Sequence, residues 1–200
     1  MSAQYHSGVA DSGEKPEGLD PVAHSSALER VVELAFLSEL VQEAWFARHQ
    51  IVDVLHSSVD AFGYDVALEC GPILRHVQLK TRRVGGTTPG YKINMNLGQR
   101  PSGCVVVIDW QYDVVQKRLH LGYRWFGGRP GEPLPPLGDK VAKHSKANAR
   151  GEKLERPNLR VVALTRFEKV AAVDTLLDRL FESGAGADGS VDSIEAMPNA

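Results

Sequence analysis

The chain has 200 residues, of which 42% are hydrophobic and 24% are charged, and these values are ordinary for a soluble globular protein. This composition excludes a collagen, a disulfide scaffold, a membrane protein and a fully disordered chain. The longest purely apolar runs are about five residues, whereas a helix that spans a bilayer needs about 20. The N-terminus lacks a basic segment followed by an apolar stretch, so we predict a cytoplasmic protein with no signal peptide and no membrane partner.

The formal net charge of −2 is unevenly spread along the chain. Residues 1–25 and 183–200 each carry −3, which leaves +4 for residues 26–182. Both ends are rich in Ser, Gly, Asp and Glu and lack hydrophobic periodicity, so we predict two disordered acidic tails around a single domain at 26–182. Because that domain is basic, the weakly acidic chain does not exclude a nucleic-acid partner.

The first predicted element is a helix. Ser26 and Glu29 have the spacing of a capping box, and the sequence from there to about Arg48 is apolar on most of its circumference, which predicts a largely buried helix. Four strand-like segments follow: the segment at 51–56 is short and β-branched, and those at 64–70, 75–81 and 91–97 alternate. Gly71-Pro72 is a turn signal between the second and third segments, so these two are predicted to form a hairpin.

The second half of the chain contains a buried-strand run and its partner, 104–110 and 119–126, in which Trp125 and Phe126 are predicted to be core residues. Four Gly and four Pro predict a loop at 127–138. A short helix, a strand and an amphipathic helix are then predicted at 140–150, 159–164 and 170–181. The order of elements predicts a mixed α/β (α+β) domain around one sheet.

The two cysteines, Cys70 and Cys104, both lie in apolar runs. The sequence has no CxxC, no HExxH and no paired Cys/His spacing, so a structural zinc site is not predicted. We therefore expect buried thiols in a reducing compartment.

The first hairpin carries the residues with the clearest chemistry. With its turn near 71–74, Asp65 falls roughly opposite residues 79 and 80, and strand alternation places Asp65, Gln78 and Lys80 on one polar face. Asp65 and the Gln78 carbonyl offer hard oxygen ligands for Mg²⁺, and Lys80 can orient a water or offset charge on a phosphate. The alternative is an incidental surface ion pair between Asp65 and Lys80, worth about 0–1 kcal/mol.

Gly63-Tyr64-Asp65, a spacer and then Gln78-Leu79-Lys80, all after a long acid-bearing helix, resembles the PD-(D/E)XK nuclease superfamily, which includes restriction endonucleases and Holliday-junction resolvases. The resemblance covers roughly 26–110. It implies a restriction endonuclease-like core, with a mixed sheet flanked by helices, and Mg²⁺-dependent hydrolysis of DNA, with Mn²⁺ able to substitute. RNA is the alternative substrate, and a homodimer is an option, because many such nucleases are dimers. Tyr64 departs from the family's Pro, and Gln78 departs from its more common acid.

Many members of this superfamily add an acid from the first helix. Glu39 lies on the apolar stripe of Leu28, Val32 and Ala35, where an unpaired charge would be costly and a metal or Lys80 nearby would offset that cost. We therefore predict Glu39 as the third metal ligand beside Asp65 and Gln78, with Glu43 and Glu33 as alternatives. The competing interpretation is that Glu39 reaches solvent at the edge of the stripe.

Residues 139–160 carry a net charge of +4 with interleaved polar side chains, which is typical either of a phosphate-contacting surface or of a solvated, salt-bridged segment. The predicted nucleic-acid contacts are Arg82, Arg83, Lys140, Lys143, Lys146 and Arg150. Because a neutral Gln78 oxygen binds Mg²⁺ more weakly than a carboxylate, a second hypothesis remains. It is a catalytically weak or inactive module on the same fold that binds nucleic acid or protein.

Overall fold

The computed structural model of the protein describes residues 24–148 and 151–182. The helices are α1 (Ser25–Gln42), which continues as a π-helical turn (Glu43–Ala47), α2 (Met95–Gly98) and α3 (Val173–Phe181). The strands are β1 (Asp53–His56), β2 (Val66–Cys70), β3 (Ile73–Arg83), β4 (Gly90–Asn94), β5 (Gly103–Asp113), β6 (Arg118–Gly127), β7 (Val141–Lys143), β8 (Glu155–Ala163) and β9 (Glu168–Val170).

A six-stranded mixed sheet in the order β1-β2-β3-β5-β6-β9 forms the centre of the molecule. All of its neighbouring strands are antiparallel except β3 and β5, which run parallel and join two local hairpins. A second sheet, in the order β4-β8-β7, is antiparallel throughout. Among the described residues, no helix is both long and apolar enough to cross a membrane.

Helices α1 and α3 cover one face of the main sheet. On α1, Val32, Phe36 and Leu40 recur every four residues, and this spacing buries all three against alternate residues of the strands. Leu176, Leu177 and Leu180 of α3 extend the same core, which we call the helix-side core. The amphipathic pattern predicted for the closing helix is therefore confirmed, although its regular part begins at Val173, after β9.

The second sheet packs on the opposite face and forms a second core. Tyr91, Ile93 and Val162 of this sheet are buried with Val105 and Val107 of β5. The predicted flanking by helices therefore holds on one face only, because the other face carries the three-stranded sheet and the one-turn helix α2. Coverage of both faces explains why all residues of 104–108 are buried, as the apolar run predicts.

Three local predictions were wrong. The capping box does not form, because Ser25 is already helical and the N-cap is His24, which makes no side-chain cap. The strand predicted at 91–97 ends at Asn94, whose side chain accepts a hydrogen bond from the Asn96 amide at 3.0 Å and starts α2. The predicted helix at 140–150 is replaced by β7, which pairs with β8 and buries Ala142 completely.

The two predicted hairpins are confirmed, and so is the burial of Trp125, Phe126 and both cysteines. Burial raises the pKa of the Cys104 thiol to about 11. The predicted tails at 1–25 and 183–200 lie outside the described residues, apart from His24 and Ser25, and so does Arg150.

Candidate active site

A step in the main sheet creates the candidate site. β2 pairs with β3 only as far as Val66–Val77, whereas β3 continues to Arg83. Asp65 lies at this step: its amide donates to the Val77 carbonyl at 2.9 Å, and its carboxylate Oδ2 accepts from the Leu79 amide at 2.7 Å. The side chain of Asp65 thus occupies the position where a further strand residue would offer its carbonyl.

The tightness of the turn fixes which residues meet. Gly71 has φ +56°, a left-handed conformation that glycine adopts at little cost, and it allows Cys70 to pair directly with Ile73. The resulting register brings Asp65 beside Gln78, so the expectation that Asp65 lies opposite residues 79 and 80 was off by one to two residues. Tyr64, the residue before Asp65, packs against the second core.

Asp65 and Lys80 line one cleft, which we call the Asp65 cleft. Its main part encloses about 360 Å³ and is lined by Glu29, Glu33, Asp65, Leu79, Lys80, Thr81 and Tyr91. An adjoining part of about 250 Å³ is lined by Arg30, Glu33, His56, Ser57, Ser58, Val59, Tyr64 and Asp65. Asp65 and Glu33 line both parts, so the two parts adjoin at the start of β2.

Gln78 directly precedes Leu79 and Lys80 in the chain, but unlike them it does not line the cleft. Its side chain is 5% exposed, and its strand partner Val105 belongs to the second core. The amide oxygen Oε1 is buried without a hydrogen-bond partner. The strand face that was predicted to be polar is therefore covered at Gln78. The buried oxygen Oε1 of Gln78 can still accept a hydrogen bond.

Glu39, the predicted helix ligand, does not lie in the cleft. Its Oε2 accepts a 2.8 Å hydrogen bond from the hydroxyl of Tyr123, which is 3% exposed on β6. Burial, together with the bond to Glu39, raises the pKa of Tyr123. A tyrosine hydroxyl thus provides the partner that the apolar stripe required, where we expected a metal or Lys80.

The first helix instead presents Glu29 and Glu33 to the cleft, since these residues are one turn apart on the same helix face. Glu33 is held by two neighbours, with 2.6 Å to Nη1 of Arg30 and 3.5 Å to Nδ1 of His56. Glu43, the other alternative, lies in the π-helical turn and does not line the cleft. The sequence predicts Glu29 as part of a capping box, which does not form. It offers Glu33 as a metal ligand only as an alternative to Glu39, alongside Glu43.

The electrostatic character of the cleft follows from these residues. Three carboxylates and one ammonium line its main part, a formal charge of −2, so a phosphate group would be repelled unless a cation accompanied it. Within the described residues, no three or more His, Cys, Asp or Glu side chains come close enough to hold a metal ion together. Mg²⁺ usually binds one or two carboxylates and completes its shell with water and substrate oxygens, and Asp65 can serve that mode.

The predicted nucleic-acid contacts are dispersed. Arg82 is half-buried and pairs with Asp109 at 3.1 Å, so its charge is partly neutralised, while Arg83 lies over the Trp110 ring at 5.9 Å. Lys140, Lys143 and Lys146 are exposed on β7 and its flanking loops. The structure does not bring these lysines among the residues that line the Asp65 cleft.

Sequence reasoning missed Arg124 of β6. Its Nε donates to Oδ2 of Asp109 at 2.8 Å, so Asp109 joins Arg124 and Arg82. The available signal was Asp109 itself, an acid within an otherwise apolar strand, since a carboxylate at such a position needs cationic partners.

A larger cavity, of about 540 Å³, lies beside α3 and is lined by Trp125, Gly127, Gly128, Arg129, Glu132, Glu168, Thr175, Asp178, Arg179 and Glu182. It contains none of the predicted site residues, and Arg179 and Glu168 in its lining pair with each other. Size alone therefore does not identify the functional site.

Comparison with protein-family models, with curated proteins and with solved structures gives no match for this chain.

Proposed function

We propose that the protein is a Mg²⁺-dependent nuclease that hydrolyses DNA phosphodiester bonds in the Asp65 cleft. The observation that carries this proposal is the meeting of Asp65 and Lys80 at the sheet step, with the carboxylate fixed by the Leu79 amide. The mixed sheet, crossed on one face by α1, supports the restriction endonuclease-like core that the Asp65, Gln78 and Lys80 motif suggests.

The side chains divide the chemistry among them. Lys80 carries the positive charge that stabilises a phosphate whose charge develops in the transition state. Asp65 would hold Mg²⁺, and Glu33 adds negative charge at the same edge, whereas Gln78 does not line the cleft. When bound, Mg²⁺ supplies a Lewis acid and lowers the pKa of a coordinated water.

The negative charge of the Asp65 cleft supports a requirement for a metal ion in the proposed reaction. With a formal charge of −2 on its lining side chains, the main part of the cleft attracts a divalent cation and, without one, repels phosphate. Cation dependence is therefore expected of substrate binding in the cleft as well as of catalysis.

The test is incubation of the purified protein with plasmid, linear and single-stranded DNA and with RNA, in Mg²⁺, Mn²⁺, Ca²⁺ or EDTA. We expect DNA cleavage in Mg²⁺ and Mn²⁺, none in EDTA, and strongly reduced cleavage with Asp65→Asn or Lys80→Gln. Cleavage that survives both substitutions would overturn the assignment of the site.

A second candidate function is a non-catalytic module that binds nucleic acid. The specific observation in its favour is that Gln78 is neutral and that no group of three acidic, His or Cys side chains among the described residues can hold a metal. DNA binding without cleavage, in every metal tested, would favour this function.

A further inference from the structure

A row of charged side chains crosses four strands of the main sheet beyond the Asp65 cleft. Arg82 of β3 pairs with Asp109 of β5, and Arg124 of β6 lies opposite Lys169 of β9. Asp109 links the strands by accepting from Arg82 at 3.1 Å and from Arg124 at 2.8 Å. We call Arg82, Asp109, Arg124 and Lys169 the arginine row.

The arginine row carries more positive charge than its one carboxylate can neutralise. One carboxylate faces three cations, which leaves a formal surplus of +2. The two arginines and the aspartate are 13–16% exposed, and Nε of Arg82 is buried without a partner. Arg124 and Lys169 are like charges directly opposite each other, an arrangement that costs stability. An anion bound there would offset this cost.

The arginine row also borders a cavity that can admit a ligand. The cavity encloses about 460 Å³ and is lined by Arg82, Val84, Gly85, Asp109, Gln111, His120, Leu121, Gly122, Tyr123, Arg124, Lys169 and Val170. Gly122 lies opposite Asp109, and its missing side chain leaves space over the carboxylate. Guanidinium groups suit phosphate oxygens in particular, because their planar donors match the geometry of two oxygens.

Position links the arginine row to the Asp65 cleft. Arg82 lies two residues after Lys80 on β3, hence on the same side of the sheet and about 7 Å further along the strand. Tyr91 lines the Asp65 cleft, and the charges of Asp109, Arg82 and Arg124 act on its hydroxyl. A phosphodiester chain that passes Lys80 along β3 would therefore next meet the arginine row.

We propose that the arginine row binds a backbone phosphate of DNA, adjacent to the phosphate held in the Asp65 cleft. This inference rests on the proposed function for its substrate class. The arginine row is a binding element, because it lies beyond the residues that would contact the reacting phosphate.

One added carboxylate and one charge reversal test this inference without removing the internal ion pairs. A side chain at position 122 is sterically tolerated, since an added Cβ would approach Asp109 no closer than 3.9 Å, so Gly122→Glu introduces a carboxylate and Gly122→Gln is its neutral control of equal size. Lys169→Glu changes an exposed side chain and is compared with Lys169→Gln. The binding of a fluorescein-labelled DNA 20-mer is measured in Ca²⁺, so that the negative Asp65 cleft can carry a cation, over a range of salt concentrations.

We expect each Glu variant to weaken binding about tenfold and to reduce the salt dependence of the association constant by about one phosphate contact. Gly122→Gln fills the same space without the charge, so the difference between the two variants at position 122 measures the effect of charge, and thermal melts of all four variants report on folding. Unchanged affinity and salt dependence in both folded Glu variants, or no DNA binding by the wild type, would overturn the inference. Binding without cleavage in any metal refutes the proposed nuclease but leaves the arginine row intact.

Discussion

The backbone amide of Leu79 donates a 2.7 Å hydrogen bond to the carboxylate of Asp65, at the point where β3 loses its pairing with β2 and continues beside β5. Lys80 is the next residue of the same strand. A single backbone contact therefore fixes the position of the Asp65 carboxylate relative to Lys80. A charge-assisted bond from an amide is shorter and stronger than a neutral one, and it orients the carboxylate before any ligand arrives.

Substitution of Asp65 separates charge from position. Asp65→Asn keeps an oxygen for the Leu79 amide but removes the negative charge, so we expect cleavage to fall about 100-fold or more while the melting temperature changes little. Asp65→Ala should also lose about 1.5–3 kcal/mol of unfolding free energy, because the hydrogen bond disappears. Plasmid cleavage rates and urea unfolding measure the two effects. An Asp65→Asn variant with wild-type activity would contradict the proposed site.

Lys80 is expected to act on the phosphate through its charge. Lys80→Gln should reduce the cleavage rate about 10²–10³-fold, the usual effect of losing one preorganised group that stabilises transition-state charge. Lys92→Gln is a suitable control, because Lys92 is exposed on β4, donates to the Lys143 carbonyl and does not line the Asp65 cleft. Equal rates for the two variants would show that Lys80 has no special role.

The two helix acids are predicted to have different effects. Glu39→Ala should cost about 1–3 kcal/mol of stability, since it leaves the buried Tyr123 hydroxyl without its acceptor, and it should leave the cleavage rate unchanged. Glu33→Ala should lower the cleavage rate instead, because Glu33 lines the Asp65 cleft. Unfolding curves and initial rates for both variants check the pair. A folded Glu39→Ala variant that cannot cleave DNA would reverse the assignment.

His76 gives the fold a pH dependence. The pKa of His76 is lowered from 6.5 mainly by burial, with a further contribution from Arg100, so the folded protein keeps the ring neutral where the unfolded chain already protonates. The unfolded state then binds more protons, and the free energy of unfolding falls as the pH drops through 6.5.

The matched variant for this test is His76→Phe, which keeps a ring near Tyr64, 4.8 Å away in the wild type, but has no titratable group. It should be less stable overall, because the contact between Nδ1 and the Pro101 carbonyl is lost. Thermal melts from about pH 7.5 to about pH 5 should show a flatter decline than in the wild type. Parallel curves for the two proteins would rule out His76 as the cause.

Gly90 permits the close approach of β4 and β8. An added Cβ there would lie 2.4 Å from the Val162 carbonyl oxygen, so Gly90→Ala must displace backbone and should cost about 1–3 kcal/mol. Gly98 of α2 has open space around it, and Gly98→Ala should be neutral or slightly stabilising. Urea unfolding of both variants compares the two positions. No loss of stability in Gly90→Ala would indicate that the two strands separate easily.

The sequence predicted the elements whose signals are local. The alternation at 64–70 and 75–81 and the apolar run at 104–110 correspond to β2, β3 and β5, because burial on fixed sides of a strand imposes period two. The same alternation did not reveal that β5 runs parallel to β3, since strand order depends on contacts between distant segments. Nor did it show that a second sheet covers Gln78, so the polar character of its strand face was misjudged.

Within the candidate site, residue types were easier to predict than partners. Asp65 and Lys80 share a cleft because they belong to one hairpin, whose pairing can be read from the turn. An acid in an apolar stripe needs a partner, and Glu39 does have one. The partner is Tyr123, whose position depends on how β6 packs under α1, and no helical periodicity contains that information.

The Asp65 cleft and the arginine row should differ in their tolerance of substitutions, because the first depends on one hairpin and the second on four strands. Asp65, Leu79 and Lys80 keep their mutual geometry through contacts within one short stretch of chain, so substitutions in β6 or β9 should leave that geometry intact. The arginine row exists only when four strands are in register. For the proposed nuclease, we therefore expect substitutions in β6 and β9 to change the affinity for DNA. The same substitutions should leave the groups beside the reacting phosphate unchanged.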